Sequence, residues 1–105
     1  MSVNKKVIQM AIGVSAKLKV QTGKNAEFET IFKQLVAAVN ANEDGCLFYA
    51  LHQSREDSQT YIVLEQYTDQ AALEAHGKTD HYRKFGKELA ACMAAAPQLE
   101  LMDSI

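Results

Sequence analysis

The run Glu65 to His81, E-Q-Y-T-D-Q-A-A-L-E-A-H-G-K-T-D-H, decides how the rest of the chain is read. It opens as the end of a strand that starts near Thr60. Thr68 or Asp69 then supplies a helix cap, Gln70 to His76 forms a short helix, Gly77 interrupts it, and a second helical piece starts near Asp80. The same run concentrates the chemistry: a carboxylate at Glu65, a phenol at Tyr67 and imidazoles at His76 and His81. These are the acid, the donor and the near-neutral base of a proton-handling site, held in one supersecondary unit.

Upstream, Cys46 to Gln53 reads as a strand apolar or aromatic on both faces, with Leu47, Tyr49 and Leu51 on one side and Cys46, Phe48 and Ala50 on the other. The charged connector Ser54 to Gln59 makes this strand and Thr60–Tyr67 an antiparallel hairpin. A symmetric connector sets Phe48 opposite Glu65, and a slip of one residue sets Tyr49 there instead. Further back, Phe28, Ile31, Phe32, Leu35, Val36 and Val39 fall at helical spacing, with Thr22 or Asn25 as the cap. That stripe is core. Before it, Val7 to Val20 alternates as a strand, with Ile12, Val14, Ala16, Leu18 and Val20 on one face.

Downstream, Asp80 to about Ala95 carries Tyr82, Phe85, Leu89, Cys92 and Met93 as an inner stripe, Pro97 ends it, and Leu99 to Leu101 alternates as a last strand. The order is β-α-β-β-α-β. This is the ferredoxin-like α+β arrangement, a four-stranded antiparallel sheet with helices on one face. The second face is apolar enough to need a cover, and a second copy is the cheapest one. A homodimer joined through the sheet faces is the expectation.

At 105 residues the chain is expected to be a single domain, 1–105. A net charge of −2 with scattered Lys and Arg gives no footprint for nucleic acid. No apolar run approaches the roughly 20 residues of a membrane span. Lys5-Lys6 before an apolar segment ending Val14-Ser15-Ala16 imitates a signal peptide, but Gln9 and Gly13 interrupt it and cleavage would discard half a strand. Cys46 and Cys92 lie in apolar sequence without C-x-x-C spacing, which suits buried free thiols and a reducing, cytoplasmic setting.

Gly23-Lys24, Gly45-Cys-Leu-Phe-Tyr49-Ala-Leu51, Glu65-Gln-Tyr67 with Asp69, Ala72-Leu73, His76, Thr79-Asp80-His81 and Phe85 together resemble the antibiotic biosynthesis monooxygenase domain family, from about Met10 to Asp103. The resemblance implies a dimeric α+β barrel. It also implies cofactor-independent oxidation of a small phenolic, quinol or enolic metabolite by O₂. Two departures stand out. The aromatic two places after the strand glutamate is Tyr67, where many relatives have Trp. The Asn, Trp and His of the haem-degrading branch correspond here to Ala16, His76 and Gly86, so haem is not expected.

The candidate catalytic residues are His76, His81 and Glu65, with Tyr49, Tyr67, Tyr82 and Phe85 as substrate contacts. On an uninterrupted helix the two histidines would stand about 140° apart, so they converge only if Gly77 breaks the helix. No tight ligand spacing such as H-x-x-x-H points to a metal, and no flavin or nicotinamide fingerprint is present. The substrate itself would then supply the electrons, with His76 or His81 as base and Tyr67 or Tyr49 as oxyanion donor. An isomerase or tautomerase using the same groups without O₂, and a non-catalytic small-molecule binding module, are the alternatives.

Overall fold

The computed structural model describes residues 11–105. Its elements run β1 (Ile12–Lys19), α1 (Asn25–Asn42), β2 (Cys46–Gln53), β3 (Thr60–Tyr67), α2 (Gln70–Gly77), α3 (Asp80–Ala90) and β4 (Gln98–Asp103). The part of the expected first strand before Ala11 lies outside the described residues. The four strands form one antiparallel sheet in the order β2-β3-β1-β4, the ferredoxin-like arrangement.

The core follows from the periodicities. Val14, Ala16, Leu18 and Val20 are buried from β1 and its extension, and Phe28, Ile31, Phe32, Leu35 and Val39 are buried from α1. Each such side chain stabilises the fold by roughly 1.5–3 kcal/mol before entropy is subtracted. Tyr61 is buried with its hydroxyl satisfied, accepting from Asn25 Nδ2 at 2.9 Å and donating to Glu29. Asn25 is therefore committed to Tyr61 and to Ser58 O, and neither it nor Thr22 caps α1. The cap position is Lys24, without a side-chain bond. Asp69 does cap α2, accepting from Ala72 N, and Thr79 caps α3, accepting from Tyr82 N.

Of the two registers open to the sequence, the hairpin takes the one with Tyr49 opposite Glu65, closing with Gln53 against Tyr61, and it carries a bulge between Cys46 and Phe48. The inserted residue is Leu47, which breaks the alternation: Cys46 packs toward the core while Leu47 is exposed. The last helix also stops at Ala90 rather than near Ala95. Alanines 91 and 94–96 favour helix, but tertiary bonds win. Gln21 Nε2 donates to Met93 O, Ala94 N donates to Lys19 O, and Met93 bridges to Val20.

The helices leave two apolar surfaces open. On the outer sheet face, Phe48, Leu64 and Met102 are 46%, 41% and 40% exposed. On the helix side, β4 extends past α3, leaving Leu99 and Leu101 exposed although they pair with buried Ala16 and Val14.

Candidate functional site

Two buried carboxylates lie near the three tyrosines and two histidines picked out above, and they are treated differently. The first is Glu43, in the turn after α1. Gly45 lets that turn press against α2, for a Cβ there would stand 2.6 Å from the Ala72 Cβ. Thr68 N donates to Gly45 O at 2.9 Å and locks the approach. Glu43 thus reaches under the break between α2 and α3. His76 Nδ1 donates to Glu43 Oε1 at 2.9 Å, and His81 Nε2 donates to Oε2. The helix break at Gly77 does make the two imidazoles converge, on this carboxylate.

His76 is nearly buried, and its ring lies 5.2 Å from Tyr49, 5.3 Å from Tyr67 and 4.8 Å from Tyr82. Burial pushes its pKa below the usual imidazole value, while the Glu43 hydrogen bond and charge pull the other way. Facing a carboxylate, Nδ1–H is the donor of this bond.

The second carboxylate is Glu65, on the core face of β3 opposite Val14 and Tyr49. Tyr67 donates to Glu65 Oε1 at 2.7 Å. No side chain among the described residues bonds Oε2, yet none of their buried side-chain polar atoms is without a partner, so Oε2 is open rather than sealed. Burial raises this carboxyl from 4.5 to about 7, against the Tyr67 hydrogen bond and with help from the Glu43 charge. Burial, followed by the charge of Glu65, also pushes the Tyr49 hydroxyl well above its ordinary value. Cys46, beside both carboxylates, is raised to about 11, first by burial, so its thiol is unreactive near neutral pH.

Glu65 opens into a cavity of about 370 Å³ between the sheet and α3. Its floor is Ala16, Leu18, Val63 and Leu99, and its roof is Tyr82, Gly86, Leu89 and Ala90. Among the described residues, Glu65, Tyr49 and Tyr82 are the polar side chains that line it. The predicted residues therefore separate. Glu65, Tyr49 and Tyr82 meet the cavity. His76 stands one layer behind, His81 is tied to Glu43, Tyr67 is fully buried against Glu65, and Phe85 belongs to the core cluster. Glu43 is the site residue that sequence reasoning missed, because a turn of Asn, Glu, Asp and Gly reads as solvated capping. No cluster of metal-ligating side chains occurs among the described residues.

Residues 11–88 match the family described as Antibiotic biosynthesis monooxygenase, most of the chain's length. The chain belongs to that family. Proteins similar to it include the Bacillus subtilis (strain 168) protein named "Putative monooxygenase YcnE", 32% identical over 95 residues, covering 88% of this chain and 99% of the relative. The fold is that of a Caulobacter crescentus CB15 crystal structure described as a "putative antibiotic biosynthesis monooxygenase". That chain is 43% identical, with a TM-score of 0.90 and 98% of each chain covered. PA3566 from Pseudomonas aeruginosa aligns with a TM-score of 0.83 at 30% identity, over 93% of this chain and 97% of that one. No helix among the described residues is long and apolar enough to cross a membrane.

Proposed function

We propose that this chain is a cofactor-independent monooxygenase that oxidises a phenolic or quinol metabolite with O₂, and that Glu65 is its base. The observation that carries this reading is the Glu65 carboxyl: it lines a mostly apolar cavity, is held at Oε1 by Tyr67 with no side chain bonded to Oε2, and is poised at about 7. A base with that pKa exchanges protons readily near neutral pH.

In the proposed sequence, Glu65 takes the proton of the substrate hydroxyl, and the resulting aryloxide gives one electron to O₂. The radical and superoxide combine at an unsubstituted ring carbon to form a peroxide anion, which recovers the proton from Glu65. Loss of the ring hydrogen and cleavage of the O–O bond then release water and leave a quinone carbonyl. Phenol and O₂ thus become quinone and water, with the substrate as sole reductant. The Tyr49 and Tyr82 hydroxyls are donors to the developing oxyanion, and the apolar walls exclude water from it. His76 and His81, bound to Glu43, hold the tyrosine layer in place instead of entering the cavity.

The test is oxygen uptake by metal-free protein over a panel of hydroquinones and polyphenols. Uptake above a no-protein blank that Glu65→Gln lowers by about 10²–10⁴-fold is the expected result. Full activity in a folded Glu65→Gln variant would falsify the assignment. Turnover that persists without O₂ would replace it with an isomerase.

The reading includes a homodimer formed through the outer sheet faces, supported by exposed Phe48, Leu64 and Met102 on one surface. It also places the protein in the cytoplasm, which suits its two free thiols. Sedimentation at micromolar concentration should give twice the monomer mass, and Leu64→Glu should halve it; a wild-type monomer removes the dimer.

A further inference from the structure

Glu43, His76 and His81 form a titratable cluster that enters no step of the chemistry proposed above. All three side chains are mostly buried, and each comes from a different element: the turn after α1, the last turn of α2 and the first turn of α3. Among the described residues, the bonds of His76 and His81 to Glu43 are the only side-chain hydrogen bonds that tie residues 70–90 to the sheet or to α1 and the turn that follows it, and no backbone hydrogen bond does so. Otherwise packing holds the two helices, with Phe85 and Leu89 buried in the core. Just past α3, Ala94 N donates to Lys19 O and Gln21 Nε2 to Met93 O, so the far end of that helix is bound to β1 and its extension.

Glu43 brings one negative charge to two imidazoles. The other titratable groups around the cluster are Tyr49 and Cys46 from β2, Tyr67 and Glu65 from β3, and Tyr82 from α3. Burial pushes Tyr49, Tyr67 and Cys46 upward, so none of these three is charged in mild acid. Glu65, raised to about 7, loses its charge as pH falls. Of these groups Glu43 alone then carries negative charge. It balances one imidazolium, and a second proton leaves a buried cation without a counter-charge. His76 Nδ1 is already taken by Glu43, so a proton added to this ring enters at Nε2, which makes no hydrogen bond to any described residue. Burial holds the His76 imidazole below its ordinary value, whereas in an opened joint the same ring takes a proton in water at about 6.5. The open joint therefore binds more protons than the closed one and gains population as pH falls. Glu65 runs the opposite way: its raised carboxyl favours the folded form as pH falls, so its titration is not what opens the joint.

We propose that Glu43, His76 and His81 form an acid-released latch on the joint between α2 and α3, and that its release in mildly acidic solution frees the Tyr82 end of the cavity roof. Tyr82 directly follows His81, packs edge-on to the His76 ring at 4.8 Å and lines the cavity. With the far end of α3 bound to β1, the motion is confined to the first turn, and the cavity opens beside Tyr49. The latch acts on the shape of the cavity whatever the cavity binds, so it stands apart from the oxygenase reading.

The experiment is amide hydrogen exchange of the full chain, read by mass spectrometry from about pH 7.5 to about pH 5 and corrected for the intrinsic pH dependence of exchange, with the His76 imidazole nitrogen signals followed by NMR. Opening across residues 76–84 should rise about tenfold or more over that range, while protection of β3 stays within about twofold. Its midpoint should coincide with protonation of His76. His81→Gln and His76→Asn each set an amide N–H where the imidazole N–H stood, which keeps the bond to Glu43 and removes one titrating ring. Each should retain the protection at neutral pH and lose the acid response. A flat wild-type profile overturns the proposal. So do an acid response that either substituted protein keeps, opening while His76 is unprotonated, and equal loss of protection in β3, which is global unfolding. Where a substitution costs the neutral protection itself, the wild-type midpoint decides.

Discussion

Glu43 and Glu65 are both carboxylates held inside the fold, and the comparison between them is the most instructive feature of the molecule. Glu43 spends each oxygen on an imidazole that arrives from another element. Glu65 spends one oxygen on its near neighbour Tyr67, has no side-chain partner on the other, and lines the cavity. A buried acid whose bonds are all made is part of the framework, and one with an open bond is available to a ligand. Residue type does not distinguish them; the count of partners does.

The comparison can be broken most forcefully at Glu65. Glu65→Gln should reduce oxygen uptake as stated above, and the wild-type kcat/KM should rise with pH through about 7, because the base acts deprotonated. Stability should move the other way. The folded carboxyl, with its pKa raised from 4.5 to about 7, binds its proton more tightly than the unfolded one. Wild-type stability therefore falls as pH rises through that window, by on the order of 3 kcal/mol. Glu65→Gln should lack that slope in chemical denaturation across the same range.

Glu43→Ala should be the larger loss of stability at neutral pH, about 2–4 kcal/mol by urea titration, since it strands two inward-facing imidazole N–H groups. Glu43→Gln, which keeps an acceptor, should recover part of it. Were Glu43→Ala to lose activity as fully as Glu65→Gln while remaining folded at the assay temperature, the division into framework and ligand acid would collapse. The smallest effect is reserved for Tyr67→Phe. It removes a hydrogen bond that lowers the Glu65 pKa, so the midpoint of the rate profile should shift to higher pH at a stability cost of about 1 kcal/mol.

What could be read from the sequence divides along the range of the forces involved. The β1 alternation and the α1 stripe are local patterns, and Val14, Ala16, Leu18, Phe28 and Val39 are buried as their spacing requires. The Asp69 cap acts within three residues and was one of the two caps the sequence offered for α2. Glu43 was not, because its partners lie 33 and 38 residues away and meet it only through the close approach at Gly45. The end of α3 was missed for a related reason. Helix propensity across Ala91 to Ala96 is a weak preference, and the bonds that draw that segment to Val20 and Gln21 come from the far side of the sequence. Glu65 was recognisable as an odd carboxylate on a covered strand; that Tyr49 rather than Phe48 would face it depended on the connector closing with Gln53 opposite Tyr61.

Leu47, the extra residue of the β2 bulge, gives the hairpin two reading frames. Between Gln53 and Phe48 the side chains of β2 keep one parity, and beyond Leu47 they resume in the opposite one, which brings Cys46 instead of Leu47 to the side of Glu65 and Tyr67. Deleting Leu47 would exchange nothing in the cavity by name. Because Cys46 already pairs with Tyr67, it would take the vacated place in the regular frame, so the bulge can be lost while the thiol and every residue that touches a ligand keep their places.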